Sequence, residues 1–243
     1  MAERLRTDTA TTLRSIRGLG FPGYPEFRRY LHELTIARAT SLDSMLSSAG
    51  ADSDIPAHVR DSLDQDQQNF GGLRNILDTK RLARLAQRMW SARRVILLGG
   101  DLASALVFYL EHHLVMLGLP VFSATSPGRV VHLVRTAGKQ DLVMAISFHR
   151  SLRQTVEGMR QAKAKGAYCI GITDTFVSPI ARFAHESFIV SVETCHFGDS
   201  YVGPMALLNV MLVACANYRR ERVLKLAREA AQEQQGGFRW YED

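Results

Sequence analysis

The chain has 243 residues and a formal net charge of +6, with 46% apolar and 22% charged residues. This balance is typical of a globular protein and excludes wholesale disorder and collagen-like repeats. No uncharged apolar stretch reaches the ~20 residues that cross a bilayer. The three cysteines lie far apart without CxxC spacing, which argues against a disulfide framework and a zinc cluster. We therefore expect a cytoplasmic protein that needs no metal or cofactor and contacts no membrane.

The first 48 residues are rich in arginine and have a helical pattern, which the turn-forming segment 18–27, GLGFPGYPEF, interrupts. Hydroxyl and guanidinium side chains on the helix before this turn suit contacts with phosphates and base edges in a DNA major groove. The candidate DNA-binding residues are Thr9, Thr11, Thr12, Arg14 and Arg17. An ordinary surface helix would have the same composition, so this segment alone does not decide between the two interpretations.

Three further segments follow. Residues 49–79 combine a short acidic linker with a predicted connecting helix, residues 80–235 form one larger unit, and residues 236–243 are a tail. Asp78 or Thr79 is a suitable N-cap for a helix that runs from Lys80 to about Ser91. The stretch Met205–Gln235 predicts one long helix or two.

After Arg94, short apolar runs alternate with longer stretches of helical periodicity. This alternation predicts parallel strands that are buried on both faces. We therefore predict an α/β fold, a doubly wound parallel sheet of five strands flanked by helices and preceded by a small all-α segment. The predicted strands are Val95–Leu98, Pro120–Ala124, Leu142–Ser147, Tyr168–Thr173 and Phe188–Val192. The predicted helices between them are Ala103–Leu117, Gly128–Ala137, Leu152–Lys165 and Ser178–Ala184.

Ligands of such sheets bind beyond the carboxyl ends of the strands, and two loops there have suitable residues. The loop after the first strand offers Gly99, Gly100 and Ser104 at the start of a helix, where backbone N–H groups bind anions. Alternatively, the two glycines only form a tight turn and Asp101 caps the helix.

The loop after the central strand is the segment of the chain that best suits an anion. Its hydroxyl, imidazole and guanidinium side chains bind phosphate or carboxylate through charge-assisted hydrogen bonds. The candidate residues are Ser147, His149, Arg150, Ser151, Arg153 and Thr155. Alternatively, Ser151 is an N-cap and the arginines are solvated helix surface. After the last strand, Glu193 or His196 is also placed to reach a bound ligand.

Between about Leu82 and Arg228 the chain contains, in order, VILLGG, YLEHHLVMLGLPV, DLVMAISF, RQTVEGMRQAKAKGAYCIGITD and SPIARFAHESFIVSVE. Together these stretches resemble a SIS (sugar isomerase) domain, a phosphosugar-binding α/β module. Residues 9–31, TATTLRSIRGLGFPGYPEFRRYL, resemble the end of the helix-turn-helix domain that precedes SIS in MurR/RpiR-type regulators. The earlier helices of that domain have no counterpart here, so we expect residues 1–48 to be a truncated, partial helix-turn-helix.

The resemblance implies a transcriptional regulator that binds operator DNA as a homodimer or homotetramer. Its SIS domain would sense a small anionic metabolite such as a sugar phosphate. Two loops differ from the family pattern: the Gly-x-Gly-x-Ser turn reads Gly99 to Ala103, and the Ser-x-Ser-Gly-x-Thr loop reads Ser147 to Leu152. Only Gly99 and Ser147 carry over directly.

Two other hypotheses fit the same fold. One is an aldose–ketose phosphosugar isomerase, in which Glu193, His196 or Glu157 would be the base. The other is a SIS-like dimerisation module that has no ligand.

Overall fold

The computed structural model describes residues 8–18, 21–37, 54–195 and 198–235. The strands are β1 (Arg94–Leu98), β2 (Val121–Ala124), β3 (Asp141–Ile146), β4 (Tyr168–Thr173) and β5 (Glu186–Ile189). They form one sheet in the order β2-β1-β3-β4-β5, and every neighbouring pair is parallel. The predicted α/β fold with a five-stranded parallel sheet is confirmed.

Helices cover both faces of the sheet and extend the chain before and after it. They are α1 (Thr9–Gly18), α2 (Tyr24–Ala37), α3 (Ile55–Ile76), α4 (Thr79–Ser91), α5 (Ala103–Met116), α6 (Pro127–Arg135), α7 (Arg153–Ala164), α8 (Val202–Tyr218) and α9 (Arg220–Gln235). The stretch that predicted one helix or two forms two, which separate at Arg219. Among the described helices, none combines the length and the apolar character that a bilayer crossing requires.

The inner strands are apolar along their whole length because helices cover both of their faces. Every residue of β3 is buried. Successive side chains of a strand point to opposite faces, so Leu97 and Met144 pack with α4, α5 and α8. Leu98 and Ala145 pack with α6 and α7 on the other face. This burial explains why the strands read as continuous apolar runs.

An ion-pair cluster joins β1 and β3 at their amino ends. The buried carboxylate of Asp141 accepts hydrogen bonds from Nε and Nη2 of Arg93 at 2.9 and 2.7 Å, and from Nε of Arg94 at 3.3 Å. A buried carboxylate requires such partners. The two arginines therefore satisfy the Asp141 carboxylate at this edge, whereas the loops with the candidate residues leave from the opposite, carboxyl edge.

One predicted helix is wrong. Over Ser178–Ala184 the chain forms consecutive turns instead. The N–H groups of Phe183 and Ala184 both donate to the carbonyl of Ile180, at 3.1 and 3.2 Å, and this closes a single turn. Pro179 has no N–H group to donate, and a segment this short gains too few hydrogen bonds to offset helix nucleation. The last strand also lies earlier than predicted, at Glu186–Ile189.

Before the sheet, α1 and α2 pack against each other around a turn. Asp8 caps α1, since its Oδ1 accepts a hydrogen bond from the N–H of Thr11 at 2.7 Å. The ring of Phe21 in the turn lies 5.2 Å from that of Phe27 and 5.1 Å from that of Tyr30. The small all-α segment is thus confirmed. The predicted tail 236–243 and the first part of the predicted linker, 49–53, lie outside the described residues.

Candidate functional site

A cleft of about 170 Å³ opens at the carboxyl ends of β1 and β3, and we call it the strand-end cleft. The loops after these two strands and the segment before α8 form its walls. Its lining residues are Gly100, Asp101, Leu102, Ala103, Ser147, Phe148, His149, Arg150, Leu152, Thr155, Asp199 and Tyr201. The two loops that the sequence singled out therefore meet at one site.

The loop after β1 has glycine at two positions where the backbone is closely packed. A Cβ on Gly99 would lie 2.6 Å from Cγ2 of Val107, and a Cβ on Gly100 would lie 2.6 Å from Cδ1 of Leu152. Asp101 follows with a φ of 55°. The N-cap position of α5 is Leu102, which makes no side-chain capping bond, so the alternative in which Asp101 caps this helix is wrong. The Asp101 side chain is exposed at the cleft.

The loop after β3 leaves the start of α7 without a side-chain cap. Leu152 is the N-cap residue and makes no capping bond, whereas Ser151 accepts a hydrogen bond from Oγ of Ser147 at 3.1 Å. The alternative in which Ser151 caps α7 is therefore wrong. The buried Thr155 and the exposed Arg150 both line the cleft. Amides in an uncapped first turn and a nearby guanidinium together attract an anion.

His149 lies between two carboxylates that the sequence analysis did not connect with it. Its Nδ1 is 2.9 Å from Oδ2 of Asp174, and its Nε2 is 3.3 Å from Oδ1 of Asp199. The backbone N–H of His149 also donates to Oδ1 of Asp174 at 3.2 Å. The backbone of His149 has a φ of 47°. The carboxylates of Asp174 and then Asp199 raise the pKa of His149 to about 10. At neutral pH the ring is therefore a cation.

The charges of this trio change what the cleft can attract. One imidazolium between two carboxylates leaves a net negative charge, so His149 adds little attraction for an anion. Among the cleft-lining residues, Arg150 supplies the other positive charge, while Asp101 and Asp199 supply negative charge. The cleft therefore suits a ligand that has an anionic end together with hydrogen-bond donors such as hydroxyl groups.

Tyr201 is a further lining residue that sequence reasoning missed. Its ring centroid lies 5.6 Å from that of Phe148. Burial, followed by the charges of Asp199 and Asp101, raises the pKa of the Tyr201 hydroxyl to about 12. The hydroxyl therefore stays protonated at neutral pH and can donate a hydrogen bond. Its position directly before α8 gave no signal in the sequence.

Several candidate residues do not line the cleft. Gly99 is buried beneath it, and Oγ of Ser104 donates to the carbonyl of Asp101 at 2.6 Å. Ser151 contacts Ser147 from outside the lining, and Arg153 is exposed on α7. Glu193 lies in a separate groove beside α3, where its carbonyl accepts a hydrogen bond from Nδ2 of Asn69 at 2.8 Å.

The residues considered as an isomerase base are also dispersed. Hydrogen bonds from Arg160 and then Gln161 lower the pKa of Glu157 to about 2, so this carboxylate is a weak base. It does not belong to the cleft lining. His196 lies outside the described residues.

The candidate DNA-binding residues all lie on α1 but differ in what they contact. Oγ1 of Thr11 donates to Oδ2 of Asp8 at 2.7 Å, and Oγ1 of Thr12 donates to the carbonyl of Asp8 at 3.2 Å. These two hydroxyls are therefore engaged in the helix start. The side chains of Thr9, Arg14 and Arg17 are exposed.

Comparison with known proteins gives a family for the sheet and its helices. The SIS domain family matches residues 88–214. A curated relative, an uncharacterised HTH-type transcriptional regulator of Haemophilus influenzae, is 23% identical over 185 residues, which cover 76% of this chain and 64% of the relative. The chain thus spans less than two thirds of that regulator.

Two solved structures have the same fold. The sugar isomerase domain of an RpiR transcription factor from Sphaerobacter thermophilus is 25% identical, with a TM-score of 0.68, over 74% of this chain and 99% of that one. The Vibrio vulnificus NanR protein, solved in complex with ManNAc-6P, is 18% identical, with a TM-score of 0.65, over 96% of this chain and 84% of NanR.

Proposed function

The chain belongs to the SIS domain family, and we propose that it is a cytoplasmic, ligand-responsive transcriptional regulator that binds DNA and senses a small anionic metabolite such as a sugar phosphate. The observation that carries the proposal is the strand-end cleft, where a space of about 170 Å³ lies between an uncapped helix start and a set of polar side chains. The regulator from Haemophilus influenzae and the NanR complex with ManNAc-6P support it by analogy.

The ligand lies across the cleft, and its phosphate and its sugar hydroxyls contact different side chains. Its phosphate binds Arg150 and the first-turn amides of α7, close to the hydroxyls of Ser147 and Thr155. Its sugar hydroxyls donate to the carboxylates of Asp101 and Asp199. The ion pair with His149 orients Asp199, since Nε2 lies 3.3 Å from Oδ1. The imidazolium thus positions a ligand-binding carboxylate.

DNA binding resides in α1, where the exposed Arg14 and Arg17 contact phosphates and base edges. Thr9 is exposed beside them, whereas Thr11 and Thr12 stabilise the helix start. Ligand binding favours one arrangement of the subunits over another and thereby changes the affinity for DNA through linkage. A two-fold symmetric oligomer matches a palindromic operator.

We favour this function over a phosphosugar isomerase because the candidate bases that the structure describes do not line the strand-end cleft. Glu157 is ion-paired with Arg160 at the surface, and the imidazole of the cleft lining, His149, is protonated at neutral pH and so is a poor base. Glu193 belongs to another groove.

The test is DNA binding by the full chain with and without sugar phosphates. Genomic fragments retained by the protein give a probe, and its dissociation constant is measured against a panel of sugar phosphates at fixed salt. We expect one of them to change this constant by about 5- to 150-fold, the usual range of allosteric coupling. Arg150→Ala should lose this response and keep DNA binding, whereas Arg14→Ala with Arg17→Ala should lose DNA binding.

The matched control is Arg153→Ala, an exposed arginine three residues further along that does not line the cleft. It should respond to the ligand as the wild type does. The proposal is rejected if the double α1 variant binds the DNA probe as tightly as the wild type does. It is also rejected if no sugar phosphate changes the affinity of the wild type for the probe.

A further inference from the structure

A second cleft lies where α2 meets the turns after β4, and we call it the arginine cleft. It encloses about 420 Å³ and shares no lining residue with the strand-end cleft. Its lining residues are Tyr24, Pro25, Arg28, Arg29, Val177, Pro179 and Arg182. Two parts of the chain far apart in sequence thus contribute guanidinium groups to one concave surface.

The half-buried Arg28 and the exposed Arg182 line the same cleft and carry like charges. Burial, and after it the positive charge of Arg182, lowers the pKa of Arg28. The guanidinium of Arg182 also lies over the ring of Phe183, with Cζ 5.5 Å from the ring centroid. No carboxylate belongs to the lining, and in the described part of the chain neither arginine forms an ion pair.

Elsewhere in the same molecule, the partly buried Arg81 and Arg94 are neutralised by carboxylates. Nε of Arg81 lies 2.7 Å from Oε1 of Glu186, and Nε of Arg94 lies 3.3 Å from Oδ1 of Asp141. Like charges that converge without such a partner raise the free energy of the folded state. An anion between Arg28 and Arg182 would remove this repulsion. Two guanidinium groups match the oxygen atoms of a phosphate, and the Tyr24 hydroxyl provides a further donor.

We propose that the arginine cleft binds a phosphate group, which is held between Arg28 and Arg182 and fastens α2 to the SIS domain. The phosphate belongs either to a DNA backbone or to a free phosphate compound, because both present the same oxygen atoms. This site does not depend on the function proposed for the strand-end cleft, with which it shares no residue.

The first experiment measures thermal unfolding of the full chain against inorganic phosphate at constant ionic strength. We expect phosphate to raise the melting temperature of the wild type. The double variant Arg28→Gln, Arg182→Gln should lose the greater part of this increase. Without phosphate and at low salt, the double variant should melt no lower than the wild type because the repulsion is gone. A melting temperature that is not lowered in the absence of phosphate shows that the double variant has lost the site and not the fold.

Two controls assign the effect to this cleft. Arg84→Gln changes an exposed arginine on α4, and it should respond to phosphate as the wild type does. Arg150→Ala disables the strand-end cleft. This variant should keep the part of the phosphate-induced increase in melting temperature that comes from the arginine cleft. If the double variant keeps the full phosphate-induced shift, the proposal is overturned.

The second experiment identifies the source of the phosphate. The affinity for a random-sequence DNA duplex is measured at several salt concentrations. Each phosphate contact contributes about 0.9 to the slope of log K against log salt. A slope that is about 0.9 smaller in the double variant assigns the site to the DNA backbone. An unchanged slope, together with a lost response to inorganic phosphate, assigns it to a free phosphate compound.

Discussion

The strand-end cleft depends on the protonation of a single residue, His149. The ring is mostly buried and lies between the carboxylates of Asp174 and Asp199. Burial alone would raise the pKa of Asp174, but the hydrogen bond and the charge of His149 lower it overall. The trio links three loops, which follow β3, follow β4 and precede α8. The charge on one imidazole therefore holds the walls of the cleft together.

This arrangement predicts that the protein loses stability at alkaline pH. The pKa of His149 rises from 6.5 to about 10 on folding, so its contribution is fully present below pH 6.5 and is lost as the pH rises towards 10. At about 1.4 kcal/mol per pKa unit, the free energy of unfolding should fall by up to ~5 kcal/mol across this range. Urea unfolding at several pH values measures it.

His149→Gln should remove most of this pH dependence, because no imidazolium is left to titrate. His132→Gln, an exposed histidine on α6, should behave as the wild type does. A wild type whose stability is the same at pH 6.5 and pH 10 would contradict the assignment of the charge to His149.

At the scale of elements, the packing of α7 on the sheet requires a glycine. A Cβ at Gly158 would lie 2.7 Å from Cγ1 of Val130 on α6 and 3.1 Å from Cδ1 of Leu98 on β1. Gly72 in α3 is the opposite case, because its Cβ would meet nothing within 4 Å. Glycine thus allows α7 to pack closely against α6 and β1, whereas in α3 it only lowers the helix propensity.

Alanine substitutions at these two glycines should have opposite signs. Gly158→Ala should destabilise the protein by about 1–3 kcal/mol, since the added methyl group overpacks the α6–α7 contact. Gly72→Ala should stabilise it by about 0.5–1 kcal/mol through helix propensity alone. Chemical denaturation of both variants measures these values. If both substitutions changed the free energy of unfolding in the same direction, close packing at Gly158 would not explain the effect of Gly158→Ala.

At the scale of the whole molecule, the outer sides of α5 and α8 stand out. One side of each helix packs in the core, and the other side carries exposed apolar residues. Phe108, Val115 and Val213 are each more than half exposed, at 56%, 54% and 61%. Exposed apolar faces of this kind mark association surfaces. They support the proposal that the chain acts as a homodimer or homotetramer.

Val213→Asp tests this association directly. A charge placed on α8 should shift the protein towards the monomer in sedimentation velocity runs, because burying an unpaired carboxylate at an interface is costly. Val131→Asp is the matched control on α6, at the opposite face of the sheet, and its residue is 47% exposed. A wild type that is monomeric at high concentration would reject the association.

Much of the fold could be predicted from the sequence because the signals are local. The runs around Val143 and Ile170 are apolar without alternation, which is typical of strands buried on both faces. Asp78 accepts hydrogen bonds from the N–H groups of Lys80 and Arg81, as its predicted role as an N-cap requires. The helix predicted over Ser178–Ala184 is wrong because a single turn around Ile180 has the same apolar spacing as a short helix.

That the loops after β1 and β3 meet at one cleft could also be predicted from the sequence, since parallel strands place their following loops at one edge. Asp174 comes directly after β4, so its place at that edge could have been inferred. The contact between Asp174 and His149 could not have been inferred. It depends on the positive φ of His149, and a histidine in the sequence does not indicate such a conformation.

The α/β fold, the order of its elements and the edge at which polar loops gather all follow from local patterns in the amino-acid sequence, because burial periodicity and helix caps act over a few neighbouring residues. The pairing of His149 with Asp174 and Asp199, and the cleft that Arg28 and Arg182 share, become visible only in the folded chain. Electrostatic partners are set by which distant loops meet, and no local pattern encodes that.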